Sequence, residues 1–155
     1  MLQTNKKESL YNLASVKKIP IDRNCPEELI AMSVKFPNGK MVISMLSSFD
    51  AAEEDQRLPY TELECLAHEL GHCMTDSFYA GCSPFDVRIK HEHRANKWAI
   101  RQIMPFDELC EAVKSGHREL WQLAEYFDVS TKFVEKAIAF HSSHGNVVPR
   151  ECYAD

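Results

Sequence analysis

The sequence predicts an α+β fold, in which a small antiparallel sheet formed by a β-hairpin packs with several helices, including a helical C-terminal part. Apolar residues alternate on both sides of Pro37-Asn38-Gly39, which is typical of a hairpin. Several other stretches carry apolar residues at spacings of three and four, which indicates amphipathic helices. Because 155 residues can bury a substantial core, we expect residues 1–155 to form a single domain.

The N-terminal part is predicted to contain a short helix followed by the hairpin. In KKESLYNLASV, the residues Leu10, Leu13 and Val16 share one helical face. The segment LIAMSVKFPNGKMVISML contains the two strands on either side of the turn. The polar stretch SSFDAAEEDQRLP then connects the hairpin to the next helix.

A long helix is predicted to begin after Thr61, because Thr61 and Glu64 have the spacing of a capping box. Gly71 within this helix costs about 1 kcal/mol relative to alanine, so we expect a close approach to the backbone there. Gly81 and Pro84 mark the break that follows. The apolar stripe of this helix comprises Leu63, Leu66, Ala67, Leu70 and Met74.

The remainder of the chain is predicted to be helical. A second long helix spans about residues 87–103 and ends before Pro105. Three shorter helices follow in the segments FDELCEAVKS, RELWQLAEYF and TKFVEKAIAFH. They make residues 106–142 a helical, helix-turn-helix-like C-terminal subdomain.

The last of these helices could contact DNA or a protein. Ser130 is a good N-cap for it, as in a helix-turn-helix. It offers the cations Lys132 and Lys136 with Glu135 between them, whereas DNA contact normally requires several phosphate-binding cations. We therefore expect this subdomain to pack or to dock a target, and we do not expect DNA binding.

The composition limits the classes of partner. The net charge is −5, from 23 acidic and 18 basic side chains, which argues against broad nucleic-acid or anionic-membrane binding. No apolar run reaches the roughly 18 residues that span a bilayer, and the polar start lacks a signal-peptide pattern. We therefore expect a cytoplasmic protein with no membrane partner, whose six cysteines are reduced.

The segment HELGH, residues 68–72, carries the strongest functional pattern. Helix positions four apart lie about 40° apart around the axis and about 6 Å along it, so His68 and His72 can present two imidazoles to one Zn²⁺ ion. Glu69 is turned about 100° away and can act as general base on a metal-activated water. The same pattern also arises by chance on exposed helices.

A third zinc ligand is expected from the next helix. Glu92 lies 20 residues after His72 and shares a face with Asn96, beside the small Ala95 that permits close helix approach. Asn96 can accept the free ring N–H of a zinc histidine. Asp76 is the alternative carboxylate for the third ligand position. If it is not a ligand, it could form a hydrogen bond to a metal-binding residue and orient it. The expected cofactor is one zinc ion per chain, with an open coordination position.

Three further residues are candidates for stabilising an oxyanion. Tyr79 follows the motif helix, and its hydroxyl could reach a polarised carbonyl. His91 and His93 flank Glu92. For each of the three, the alternative is an ordinary packing or surface residue.

The stretches LAHELGH and HEHRANKWAIRQIMP resemble the ImmA/IrrE family of zinc metallo-endopeptidases over about residues 30–140. The family pattern of an acid, Ala-Asn, aromatic-Ala and Met-Pro corresponds to Glu92, Ala95-Asn96, Trp98-Ala99 and Met104-Pro105. Arg94 departs from it, because members often carry a second acid there. The resemblance implies a zincin-like domain of gluzincin type, with Glu92 as the third ligand.

The resemblance also implies a function. Characterised members of the family cleave helix-turn-helix repressors, so we expect a zinc-dependent endopeptidase whose protein substrate is such a repressor. The alternatives are a DNA-binding regulator that uses the C-terminal helices, and a peptidase-like protein that binds its partner without cutting it. The sequence makes no prediction of the oligomeric state.

Overall fold

The computed structural model describes residues 2–26, 28–49 and 58–146, with side chains from residue 6 onward. This part of the chain contains six helices and three strands, which confirms the predicted α+β class with a helical C-terminal part. In chain order they are α1 (Leu2–Val16), β1 (Ile21–Asp22), β2 (Ala31–Lys35), β3 (Met41–Met45), α2 (Glu62–Thr75), α3 (Phe85–Ile103), α4 (Phe106–Lys114), α5 (Leu120–Phe127) and α6 (Thr131–Ser143).

The sheet has the strand order β1-β3-β2. Strands β2 and β3 form the predicted antiparallel hairpin, with Val34 opposite Val42. Strand β1 pairs parallel with β3, with Ile21 opposite Ile43, so the sheet is mixed and not purely antiparallel as predicted. The two residues of β1 are too few to show an alternating pattern.

Helix α2 begins as the sequence predicts. Thr61 Oγ1 accepts a hydrogen bond of 3.2 Å from the Glu64 amide, and the Glu64 carboxylate accepts one of 2.7 Å from the Thr61 amide. The helix ends at Asp76, which adopts a left-handed conformation with φ 49°. Its apolar stripe packs into the core, where Leu63, Leu66, Ala67 and Leu70 are fully buried.

Helices α2 and α3 pack against each other through small residues. A Cβ at Gly71 would lie 2.6 Å from the carbonyl oxygen of Ala95. The close approach expected at Gly71 is therefore confirmed, and the approaching group is the backbone of α3. This packing places the motif helix beside the helix that carries Glu92 and Asn96.

The C-terminal helices are held against the start of α2 by polar contacts. Thr61 Oγ1 donates to the carbonyl of Asp128 at 2.8 Å, and Ser130 Oγ donates to Glu64 Oε1 at 2.7 Å. One apolar core extends from α1 to α6. The turn before α6 is thus fixed next to the first turn of the motif helix.

Two expectations concern the whole chain. In the part that the structure describes, no helix is both long and apolar enough to cross a membrane. The five cysteines in that part are free, and Cys152 lies outside it. Most of the predicted polar connection, residues 50–57, also lies outside the described residues.

Candidate metal centre

Two histidines of α2 and one glutamate of α3 converge on a single point. Nε2 of His68 and Nε2 of His72 lie 3.1 Å apart. Glu92 places Oε2 at 3.1 Å from His68 Nε2 and Oε1 at 3.3 Å from His72 Nε2. Among the described residues, these three form a cluster of side chains that could hold a metal ion.

The spacing of these atoms fits a small tetrahedral ion. Around zinc with bonds of about 2.0–2.1 Å, neighbouring ligand atoms lie about 3.3–3.4 Å apart. The two ring nitrogens lie 3.1 Å apart, close to that value, and each of them has a different oxygen of Glu92 at 3.1 or 3.3 Å. With one ligand atom taken from each residue, the three atoms lie within 4.8 Å of one another. Two imidazoles and one carboxylate also match the donor set of catalytic zinc sites, in which a fourth position stays open.

The opposite nitrogen of each ring has a fixed partner. Nδ1 of His72 lies 2.7 Å from the carbonyl oxygen of Ser77, which can only accept, so this nitrogen carries the proton. Nδ1 of His68 lies 3.1 Å from Oδ1 of Asn96. Both contacts leave the Nε2 lone pair directed into the cluster. Such partners fix the tautomer that a metal requires.

The electrostatics of the cluster favour an ionised carboxylate. Hydrogen bonds to His68 and then His72 hold the pKa of Glu92 well below its usual range, against the opposing effect of burial. Burial on its own would lower the pKa of His72, but the hydrogen bonds to Glu92 and Ser77 outweigh it and raise that pKa. A negative group is therefore held between two imidazoles, where a cation would be stabilised.

Glu69 lies beside the cluster in a cleft of about 300 Å³, which His68 and Glu92 also line. As a whole residue, Glu69 is 8% exposed. Within the described residues, no donor forms a hydrogen bond to its carboxylate. A carboxylate with no partner among the described residues, at the wall of a cleft, can take a proton from a molecule held there.

Tyr79 contacts the cluster through Glu92 itself. Its hydroxyl donates a hydrogen bond of 2.7 Å to Glu92 Oε1. That hydrogen bond, together with burial and the charge of the carboxylate, raises the pKa of Tyr79 to about 12. The hydroxyl therefore keeps its proton and is placed to hold Glu92 in position.

The other candidates from the sequence are not members of the three-residue cluster. Asp76 is mostly exposed and pairs with Lys35 at 2.7 Å, so the structure does not bring it to the histidines. His91 is half-buried, with its ring centroid 6.3 Å from that of Tyr79. His93 is exposed on α3.

Sequence reasoning missed several contributors to the site. The Ser77 carbonyl orients His72, but a main-chain carbonyl is supplied by any residue and leaves no sequence signal. The cleft also receives residues from the start of α6, including Lys132 and Phe133. Their position depends on how α6 packs, which local sequence patterns do not reveal.

The sequence matches the Peptidase M78 family model, described as the IrrE N-terminal-like domain, over residues 55–139. The chain belongs to this family. The M78 match spans both helices that carry the cluster, and it confirms the resemblance to ImmA/IrrE proteins. The family is metallopeptidase-like, in agreement with a potential metal-binding set of two histidines and a glutamate. Nothing among the curated proteins or the solved structures matches the chain.

Proposed function

We propose that the chain is a zinc-dependent endopeptidase that cuts a specific protein target, a helix-turn-helix repressor. The observation that carries this proposal is the convergence of His68, His72 and Glu92. His68 and Glu92 line one cleft together with Glu69, whose carboxylate has no hydrogen-bond partner among the described residues. A purely structural metal site has no use for such a carboxylate. Membership of the M78 family supports the same class of protein.

The residues of the site divide the work of peptide hydrolysis. His68, His72 and Glu92 would hold the metal, with Asn96 and the Ser77 carbonyl fixing the two rings. Zinc bound there would acidify a water molecule and polarise the scissile carbonyl. Glu69 accepts a proton from the attacking water and passes it to the leaving amine.

The dimensions of the cleft favour a substrate that enters as a short segment of polypeptide chain. A volume of about 300 Å³ is at the lower end for a ligand site, so it admits a short stretch of chain rather than a folded surface. A protein substrate must therefore present an exposed loop or linker. The choice of a repressor rests on the resemblance to ImmA/IrrE proteins.

The placement of α6 favours a protein target over DNA. In a helix-turn-helix protein, the N-terminal residues of the recognition helix contact base edges in the major groove. Here the start of α6 is fixed against α2 through Ser130 and Glu64, and Lys132 and Lys136 line the cleft. Lys132 and Lys136 are therefore placed to contact a substrate that enters the cleft.

The experiment that tests the proposal combines metal removal with a defined substrate. We expect protein purified without chelator to contain about one zinc per chain and to cut a repressor encoded beside its gene. Treatment with a chelator should abolish cleavage, and added zinc should restore it while magnesium should not.

A matched pair of histidine variants completes that experiment. His68→Ala should lose both zinc and cleavage, whereas His144→Ala, at an exposed position after α6, should retain both. Cleavage that survives both metal removal and His68→Ala would contradict the proposal.

A further inference from the structure

Two lysines of α6 border the cleft that holds the candidate metal centre. Lys132 and Lys136 are one helical turn apart, and both line the same cleft as Glu69. Both side chains are exposed. In the part of the chain that the structure describes, no carboxylate lies at ion-pair distance from either ammonium group. The two charges are therefore available to a ligand.

The contacts of α6 place the start of this helix near the metal ligands. Ser130, immediately before α6, donates a hydrogen bond of 2.7 Å to Glu64. Glu64 precedes His68 by one turn of α2, which is about 6 Å along the helix axis. The first turn of α6 is therefore held against α2 about one helical turn before His68.

Two of the carboxylates that line the cleft with the lysines, those of Glu64 and Glu92, are already engaged. The buried carboxylate of Glu64 accepts hydrogen bonds from Ser130 Oγ and from the Thr61 amide. Glu92 is engaged by the two histidines and by Tyr79. The chain as a whole carries a net charge of −5, so an unpaired cationic wall at this cleft is a local exception. A concave site concentrates the positive electrostatic potential of the two lysines on a ligand that enters it.

Apolar side chains accompany the two lysines. Leu29 is 53% exposed and Tyr60 is 43% exposed, and both line the cleft together with Phe133. Large apolar groups left open to solvent at a cleft can receive apolar groups of a ligand. The combination of cations and apolar surface matches a peptide segment that carries both an acidic and an apolar side chain.

We infer, on the basis of the proposed peptidase function, that Lys132 and Lys136 form a subsite for an acidic side chain of the substrate. Leu29, Tyr60 and Phe133 receive an apolar side chain next to it. Because both lysines line the same cleft as Glu69, the acidic residue lies close to the scissile bond in the substrate sequence. A polyphosphate carries several negative charges and is less suited to this cleft than a single carboxylate, because Glu64 and Glu69 line it as well.

Cleavage of a randomised peptide library by the zinc-loaded protein tests the subsite. We expect aspartate and glutamate to be enriched about 1.5- to 5-fold at one position near the cut sites, as for exposed charge pairs. The double variant Lys132→Glu/Lys136→Glu should lose this enrichment and favour lysine or arginine at the same position. The control Lys17→Glu/Lys40→Glu makes the same change of net charge at exposed positions outside the cleft, and should keep the wild-type preference.

A binding measurement separates the subsite from catalysis. The affinity of zinc-loaded Glu69→Gln is measured for fluorescent peptides that carry aspartate, alanine or lysine at the position selected in the library. If the library shows no cut site, the varied residue is placed at the centre of the peptide. We expect tighter binding of the aspartate peptide, and loss of that preference when the two lysine reversals are added. Salt should weaken the preference, because it screens exposed charges.

The outcomes distinguish the two proposals. Acid-selective binding without any cleavage by the wild type would support the subsite and count against the peptidase function. Cleavage without an acidic preference would overturn the subsite and leave the peptidase function standing. Absence of acid-selective binding would overturn the subsite too. If the protein bound a DNA duplex tightly and the lysine reversals abolished this binding, the two lysines would be a DNA-binding site. This result would also overturn the subsite proposal.

Discussion

Gly71 of α2 lies directly against the backbone of Ala95 in α3, so that a Cβ at Gly71 would be 2.6 Å from the Ala95 carbonyl oxygen and 3.0 Å from its Cα. Neither backbone atom can move aside without moving its helix. The contact lies between the residues that carry the site, since α2 supplies His68 and His72 and α3 supplies Glu92. The separation of the two helices therefore determines whether the three side chains meet.

Gly71→Ala should destabilise the protein although alanine is the better helix former. The propensity gain is about 1 kcal/mol, whereas forcing an extra carbon into a packed contact costs about 1–3 kcal/mol. We expect a lower free energy of unfolding in urea and weaker zinc binding. Gly81→Ala is the control, because no atom of the described residues would lie within 4 Å of a Cβ at that position. Unchanged stability and zinc affinity in Gly71→Ala would show that the contact does not set the helix separation.

Tyr79→Phe should weaken zinc binding. The substitution removes the hydroxyl that donates to Glu92 Oε1 at 2.7 Å and leaves the ring in place. Loss of a partner that orients a metal ligand typically costs about 10- to 100-fold in metal affinity. Competition with a chromogenic chelator measures this, with Tyr126→Phe as control. If zinc affinity were unchanged and kcat alone fell, Tyr79 would instead act on the transition state, as an oxyanion donor.

If Glu92 is the third ligand, removal of Glu92 and removal of Asp76 should affect the zinc content differently. Glu92→Ala should lose most of the bound zinc, because the two histidines alone leave the ion undercoordinated. Asp76→Ala should keep about one zinc per chain, since Asp76 pairs with Lys35 at the surface. Elemental analysis of both purified variants is the measurement. If Glu92→Ala kept its full zinc content and Asp76→Ala lost it, the third ligand would be Asp76, and the assignment to Glu92 would be wrong.

The stability of the fold should depend on pH through Glu62. Burial disfavours its charged form, but hydrogen bonds from Tyr11, Arg23 and Lys7 outweigh burial and lower the pKa of Glu62 to about 2. In the unfolded chain the pKa is about 4.3. The stabilisation from the ionised group is thus present above about pH 4.3 and is lost as the pH falls towards about 2.

Urea unfolding of wild type and Glu62→Gln, both with chelator so that metal loss does not interfere, measures this contribution. The variant should be less stable at neutral pH, and the difference should shrink as the pH is lowered through that window. Glu111→Gln changes an exposed carboxylate on α4 and should show no such trend. A difference that stays constant from neutral to acidic pH would contradict the assignment.

Local sequence signals predicted the parts of this structure that depend on neighbouring residues. The capping box of Thr61 and Glu64, the apolar stripe of α2 and the turn of the hairpin each involve residues close together in the chain. The pairing of His68 and His72 follows from helix periodicity alone. The need for Gly71 was also visible, because a mid-helix glycine is unfavourable without a packing reason.

The remaining features depend on tertiary packing. The sequence could not show that Ala95 is the residue that approaches Gly71, or that the two residues of β1 pair with β3. It also could not show that Lys132 lies at the cleft, because that position depends on the contacts that hold the start of α6 against α2.

The central claim is that Glu69 is the base of a zinc peptidase, and the rate of cleavage by Glu69→Gln tests it most directly. Glutamine keeps the size of the side chain but cannot take a proton. Zinc content and the free energy of unfolding should match the wild type, because Glu69 is not among the proposed ligands. Cleavage of the repressor should fall at least about 10²- to 10⁴-fold. A zinc-loaded Glu69→Gln protein that cuts at the wild-type rate would contradict the account.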